Sequence, residues 1–580
     1  MPPFLSAFRP EVSRDALAAT VAHLSALGEK VPGSAAEAAA CAYLTARLAE
    51  YGVRHQVHVF DSYIGAPTRT ELHVLAPAPQ QIEAVGVAFA GDTGPEGVTA
   101  PVVAVGRGRP ADYAGRDVAG AIVLVDHIPE HGACAAALRA GVVGLIGISS
   151  GPQRHKMTVS PIWGAPATAE ELAQMPRLAV ASISRPDGER LKALAASGGL
   201  RVRLVAQAEE GWRQVRLPVA EIPGREAPFV LVGSHYCTWF DGTTDNITAN
   251  ALLLECARLL APGAGSRRYG VRLAWWPGHT HGRYSGSAWY ADTFWQDLHE
   301  NGIAYFNVDI VGSRGAVTKC ARNQMAEVSG FTAAALAAFA EPVPAQEAAF
   351  NARTLSRQDR YVDPTRPHRG SDQSFWGVGL SSLQVSSFLA EDDPAHLPNS
   401  GIAWWWHTAQ DTLDKADPDI LAADTAIHAR MVDSLADAPL LPLDLAATAG
   451  DMLAALREYR EAAPDLALLA ELETSAQAFA ATAARFQACA ADLTDSATTS
   501  AANRRLLRAA HLLNPVLYQA RSPFEHDRAV PTRLLPGLAP ALGLAAMAPD
   551  AARMARVGLQ RERNRIAHAL AEATRLLDAE

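Results

Sequence analysis

The residues best suited to chemistry include two histidines in "WWPGHTHGRYSGS", residues 275–287. His279 and His281 sit in a glycine-bounded turn. An apolar run, "YGVRLAWW", precedes it and a segment of helical spacing, "GSAWYADTFWQDLHE", follows it. Alternate residues of an extended segment point the same way, so H-x-H can offer two imidazoles to one ion. Further residues of the same kind close other strand-like runs. His235 ends "FVLVGSH", Asp245 lies in "DGTTDN", Asp309 ends "AYFNVD" and His407 lies in "WWWHTAQDT". Imidazole and carboxylate together suit zinc or a similar divalent ion, and two ions sharing a bridging carboxylate need about this ligand set. Each residue alone has a plainer role: Asp245 can cap the helix opening at "NITAN", Asp309 can be a turn residue, and a strand-end histidine can be a structural hydrogen-bonding group. The recurrence at successive strand ends is what points to a metal. A ligating imidazole needs its other nitrogen tied to an acceptor, which draws attention to Asp241, Asp372 and Asp411.

The elements that must position these residues follow from periodicity. "APFVLVGSHY", "YGVRLAWW", "GIAYFNVDIVG" and "LSSLQVSSF" are short, almost continuously apolar runs, as in a sheet covered by helices on both faces. "NITANALLLECARLL" and "SAWYADTFWQDLHENG" read as the helices between them. The fold class expected is α/β, a mostly parallel mixed sheet with helices on both faces. Ligands in such sheets bind beyond the carboxyl ends of the strands. Residues 88–208 have a different texture, with short Val, Ile and Gly-rich runs such as "GAIVLVDH" and "VVGLIGIS", and read as a β-rich insert. From 441 the chain turns helical and Ala/Leu-rich, interrupted by a Pro-rich connection, "LLNPVLYQARSPFEHDRAVPTRLLPGL". The domains expected are 1–87 with 209–440, 88–208, and 441–580.

A chain of 580 residues with net charge −10 has no basic field for nucleic acid. No apolar run is long enough to span a bilayer, and the opening "MPPFLSAFRPEVSRDALAATVAHL" lacks the pattern of a secretory leader. Cys41, Cys134, Cys237, Cys256, Cys320 and Cys489 show no CxxC spacing and read as reduced thiols. A cytoplasmic location is expected, with neither nucleic acid nor membrane as partner.

In order, "GSHY…DGTTDN", the "GS" after the turn, "YFNVD", "RGSDQSFW" and "WWWHTAQDT" resemble the di-zinc exopeptidases of the aminopeptidase and glutamate-carboxypeptidase superfamily. Residues 88–208 resemble the protease-associated insert of such proteins. The C-terminal helices, with "LLNPVLY" and "LLPGL", are similar to the dimerisation domain of the transferrin-receptor branch. The resemblance implies a divalent metal, zinc first, as one or two ions. His235 and Asp309 would hold one, His407 would help hold the other, and Asp245 would bridge them. It also implies a homodimer through the C-terminal helices.

In that family a Glu-Glu pair supplies the general base and a ligand where this chain has "GHTHG". Counting back from Gly286 and Ser287, His281 takes the ligand position and Thr280 the base position. Counting forward from Trp276, His279 takes the base position and Thr280 the ligand position. Threonine is poor at either task, whereas imidazole can do both. The economical reading is His281 as ligand, with His279 a second ligand or the proton-transfer group. Cys237 departs too, standing where the family has a supporting Asp; Asp241 could take over that support. The function expected is metal-dependent hydrolysis of an amide or peptide bond in a small-molecule or peptide substrate, by a metal-activated water. The alternatives are a catalytically degenerate binding or scaffold protein, as the transferrin receptor illustrates, and a metal-dependent acyl transfer, cyclisation or elimination. Trp275, Trp276 and Trp404–406 could wall an apolar pocket or simply be core.

Overall fold

The computed structural model describes residues 2–340, 370–390, 392–397, 402–493, 495–530 and 532–579; Arg369 of the "RGSDQSFW" motif lies outside them. The strands are β1 Arg54–Ala76, β2 Gln80–Ile82, β3 Ala84–Gly86, β4 Val98–Ala104, β5 Ile122–Val125, β6 Gly144–Ile148, β7 Ala179–Ile183, β8 Arg201–Ile222, β9 Phe229–His235, β10 Gly270–Trp276, β11 Gly302–Asn307, β12 Thr318–Arg322 and β13 Ser381–Phe388. They form one path of pairings, β12-β13-β11-β9-β10-β8-β4-β5-β6-β7-β3, with β1 along β8 and β2 on β1. β10, β9, β11 and β13 are mutually parallel, so their carboxyl ends share one edge. The register pairs Trp276 with His235 and Asn307 with Gly233, which brings the following loops level with one another. This is the mixed α/β sheet the apolar runs predict.

Strand alternation divides two cores. Val230 and Val232 of β9 join Leu273, Trp275 and Phe306 on one face, while Phe229 and Leu231 join Ala274, Trp276 and Tyr305 on the other. Helices Thr248–Leu260 and Pro418–Ala436 cover the first face; Tyr290 and Ala291 of helix Ser285–Thr293 help cover the second. Trp275 and Trp276 are therefore core, one per face, and truncating either to Ala should cost about 3–5 kcal/mol. "SAWYADTFWQDLHENG" is two helices, Ser285–Thr293 and Trp295–Asn301, because Phe294 leaves helical geometry at φ −110°, ψ 24°.

Within 88–208, β4 to β7 run parallel and bury two apolar clusters, which Tyr63 and Trp239 on one side and Leu72, Val74 and Ile82 on the other help complete. The join is continuous: β8 runs unbroken across residue 208 and pairs with β1 from Arg54 to Ala76. The C-terminal layer comprises helices Leu445–Ala462, Ala467–Ala491, Ser496–Tyr518 and Pro549–Asp578. "LLNPVLY" is not the start of the Pro-rich connection, since helix Ser496–Tyr518 carries Pro515 in its last turn. Asn514 beside it donates to Glu327 and to the Gly379 carbonyl, so tertiary contacts hold the helix past the proline. Among the described residues no helix is long and apolar enough to cross a membrane.

Candidate metal centre

The parallel strand ends deliver His235 at the close of β9, the 277–284 turn after β10 and Asp309 after β11. Loop 241–247 follows β9 and delivers Asp245, and His407 arrives from the segment before helix Pro418–Ala436. His235 Nδ1–H donates to the Cys237 carbonyl at 2.9 Å, and His407 Nδ1–H donates to the Lys156 carbonyl at 2.9 Å. Both rings are thereby fixed with Nε2 pointing inward. His235 Nε2 lies 3.1 Å from one Asp245 oxygen and His407 Nε2 lies 2.9 Å from the other. His235 Nε2 is also 3.7 Å from Asp309 Oδ1. Imidazole lone pairs aimed at carboxylate oxygens repel unless a cation stands between them, either a proton or a metal.

His279 completes this group. Its ring stacks on His235 at 3.9 Å, Tyr284 meets its face edge-on at 4.3 Å, and Nδ1 is 3.3 Å from Ser371 Oγ. One ligand atom from each of His235, His279 and Asp309 falls within 4.8 Å of the others. Asp309 Oδ1 is buried and has no hydrogen-bond partner among the described residues. An orphaned buried carboxylate oxygen among inward imidazoles fits a divalent cation.

His281 does not join them, which corrects the backward count from Gly286. Its side chain turns to the other side of the turn, where Nε2 lies 3.4 Å from Glu29, the ring packs on Trp239 at 4.1 Å, and Nδ1 meets Thr280 Oγ1 at 2.8 Å. Gly65 N–H donates to the His281 carbonyl at 2.9 Å and pins the turn to β1. Thr280 lines the pocket, but its hydroxyl is spent on His281 and on Cys237 Sγ at 3.5 Å. The forward count from Trp276 therefore describes the geometry, with the extra residue falling later in the turn.

The sequence model described as Peptidase family M28 matches residues 219–432, a span that contains all of these strand-end residues. Residues 219–432 thus form an M28-like region. Over 362 residues the chain is 26% identical to the maize protein named Probable glutamate carboxypeptidase VP8, covering 51% of this chain and 50% of that one. Over 334 residues it is 28% identical to Probable lipoprotein aminopeptidase LpqL of Mycobacterium tuberculosis, covering 53% of this chain and 61% of that one. The chain thus spans about half the length of the curated relatives it matches. Among solved structures, BSAP, a zinc aminopeptidase from Bacillus subtilis, superposes with a TM-score of 0.55 at 18% identity, covering 73% of this chain and 96% of that one. An aminopeptidase from Aneurinibacillus sp. strain AM-1 gives 0.52 at 21%, covering 73% and 93%. These likenesses establish the fold.

Electrostatics in the M28-like region favour a bound cation. Burial works against charge on His235, yet Asp245 and Asp309 outweigh it and raise its pKa well above the imidazole range. Burial and the adjacent His235 charge hold His279 well below that range, and burial lowers His281 against the pull of Glu29. A neutral His279 is the form that ligates a metal. Asp411 lies beside Asp245, accepting from the backbone N–H groups of Thr244 and Asp245 and from the Thr244 hydroxyl. Burial lifts Asp411 to about 7 against those bonds. Cys237 lends its carbonyl to His235 and its sulfur to the His279 N–H at 3.2 Å. Asp372 accepts from Trp376 Nε1 and burial pushes it to about 7, while its neighbour Ser371 is the residue that meets His279. Asp241 contacts the buried Lys30 through its carbonyl and stands outside the cluster.

The pocket over these residues measures about 260 Å³ and includes Trp239, Tyr284, Trp406, Arg283 and Glu130 in its walls. Of the five tryptophans considered from sequence, Trp406 lines it, stacked on His407 at 3.6 Å. Trp405 is buried with Nε1 on Thr244 Oγ1, while Lys415 lies over the Trp404 and Trp405 rings. Several participants gave no sequence signal. Lys156 and Glu130 come from the 88–208 segment. Lys156 exchanges both backbone groups with His407 and binds Glu29 at 2.8 Å, although 251 positions separate it from His407. Ser371 lay within a quoted motif, and its hydroxyl was the signal.

Proposed function

We propose that this chain is a metal-dependent hydrolase of an amide or peptide bond in a small or peptide substrate. The observation that supports it most is Asp245, whose two oxygens face separate inward-pointing histidines, His235 and His407. His235, Asp309 and His279 with Asp245 would hold one ion; Asp245 and His407 offer a second, poorer place. The Bacillus subtilis neighbour is named a zinc aminopeptidase, and this donor set is that of zinc. Zinc bound there supplies a Lewis acid for the scissile carbonyl and a low-pKa water. The chain's own residues orient and confine. Trp239, Tyr284 and Trp406 would take an apolar group and exclude water, and Arg283 brings a positive charge to the same wall. With His279 engaged as a ligand, the carboxylate left in the pocket beside Asp245 and Asp309 is Glu130, and we assign proton transfer to its Oε atoms.

The test is metal analysis of dialysed protein together with hydrolysis of a panel of aminoacyl and peptidyl amides. One tightly held zinc per chain, with hydrolysis lost on chelation and restored by zinc, is the expected result. Full hydrolysis by metal-free protein would overturn the reading. Stoichiometric metal with no hydrolysis of any amide would move the chain to a non-hydrolytic reaction. A homodimer through the C-terminal helices belongs to the same proposal. Exposed Met554 and Val557 on helix Pro549–Asp578 support it, and sedimentation tests it.

A further inference from the structure

At the opposite, amino ends of β9, β10 and β11 lies a second cavity of about 770 Å³. Glu226 precedes β9, Tyr269 precedes β10, and His299 and Glu300 precede β11; helix Ser496–Tyr518 forms the facing wall. That helix presents Arg504 and Arg508, one turn apart. Neither guanidinium has an ion pair or hydrogen bond among the described residues. Arg505 between them is engaged through Nε and Nη2 on the carbonyls of Leu576, Leu577 and Ala579. The cavity's carboxylates do not neutralise the pair. Glu226 is taken by Arg268 at 2.8 Å and by Ser500, whereas Glu300, among the described residues, accepts only from the neutral Gln296 and so offsets one of the two arginine charges. Guanidinium is charged at any working pH, so the cavity keeps a positive excess.

A buried group faces the same space. His511 is 3% exposed and lines the cavity, donating Nδ1–H to the His299 carbonyl at 2.8 Å. Burial and the neighbouring His299 ring hold it near 4, against the His299 and Gly302 carbonyls, so it is neutral. Among the described residues its Nε2 has no hydrogen bond of normal geometry, although the Gly302 carbonyl is near the ring, which leaves the neutral ring nitrogen without a donor.

We propose that this cavity binds a small anion, a metabolite bearing a phosphate or carboxylate group with a hydroxyl donor, held by Arg504 and Arg508 and read by His511. The pairing follows guanidinium chemistry, since two free forks on one helix face suit two anionic oxygens or two anionic groups. The site is separate from the metal centre and stands whether or not the chain hydrolyses amides.

The experiment is calorimetric titration of the full chain with inorganic phosphate, with citrate and with neutral glucose at physiological salt. Binding of phosphate or citrate at one per chain, with a Kd of about 1 mM or tighter and none for glucose, is expected. The tighter of the two anions identifies the group. The double variant Arg504→Gln/Arg508→Gln alters two exposed residues, so it should fold normally and bind at least about tenfold more weakly. The control Arg553→Gln/Arg556→Gln, on helix Pro549–Asp578, should bind as the wild type does. Absence of binding by either anion up to about 10 mM overturns the proposal. So does equal loss in both double variants, which would mean a diffuse surface effect only.

Discussion

The two ends of β9, β10 and β11 have opposite chemistry. Their carboxyl ends gather Asp245 and Asp309 around inward-pointing imidazoles in a pocket of about 260 Å³. Their amino ends meet two arginines, unpaired among the described residues, across a cavity of about 770 Å³. One end attracts a cation and the other an anion, although the same strands serve both. The difference lies in what faces the strand ends. At the carboxyl end the M28 loops and the 88–208 segment supply carboxylates and carbonyls. At the amino end a helix of the C-terminal layer supplies guanidiniums. A sheet of this kind holds its strands rigid and leaves the chemistry of each edge to the segments laid against it.

The sharpest way to break this comparison is Asp245→Asn. It removes the charge that both His235 and His407 address. Amide hydrolysis should fall by about 10³-fold, the several kcal/mol a bound ion supplies, and metal content should fall with it. Anion binding by Arg504 and Arg508 should stay within about twofold, because distant sites are independent. A parallel loss at both ends would show that they are one coupled unit.

Glu130→Gln asks whether the carboxyl end draws its proton chemistry from the 88–208 segment. A general base contributes about 10²-fold or more, so kcat should fall by about that factor with metal content unchanged. Unchanged kcat would return proton transfer to the M28 residues.

The two histidines of one turn sharpen the picture further. His279→Ala should weaken metal binding by about 10- to 100-fold, the usual cost of disturbing a ligand shell. His281→Ala should leave metal content alone and instead destabilise the fold by about 1–3 kcal/mol, by stripping Glu29 of a buried partner. Metal loss in His281→Ala with none in His279→Ala would reverse the assignment.

Those two residues also mark how far the sequence could be read. β9, β10, β11 and β13 were legible because buried parallel strands are apolar throughout, and His235, Asp245, Asp309 and His407 were legible because each ends or follows such a run. The choice between His279 and His281 was not. A tight turn abandons the alternation of an extended strand: Gly282 N–H donates to the Gly278 carbonyl at 3.1 Å and closes the chain over His279–His281, so H-x-H no longer puts both rings on one side. Lys156, Glu29 and Glu130 were invisible for a different reason. Lys156 and Glu130 reach the site through the long β1–β8 ribbon and the sheet beside it, Glu29 through the segment between helices Arg14–Ser25 and Ala35–Glu50, and no local pattern encodes a contact across 251 positions.

The smallest effect tests how the 88–208 segment is fastened to the carboxyl end. Burial disfavours the Glu29 carboxylate, but hydrogen bonding from His281 and the charge of Lys156 overcome that and hold its pKa at about 2, below the ordinary 4.5. A group whose pKa is depressed by folding stabilises the fold above its unfolded value and loses that stabilisation as pH falls through the folded one. The window is therefore from about pH 4.5 down to about 2. Discounted for the quarter of the side chain left to solvent, the contribution is about 2 kcal/mol. Glu29→Gln should remove this acid-labile component, so that variant and wild type differ in unfolding free energy at pH 6 and converge toward pH 2. The Lys156 backbone holds the Nδ1 and the carbonyl of His407, so hydrolysis in Glu29→Gln should fall only a few fold, and anion binding at the amino end should not move. A stability difference that persists unchanged to pH 2 would show that Glu29 acts by packing rather than by charge.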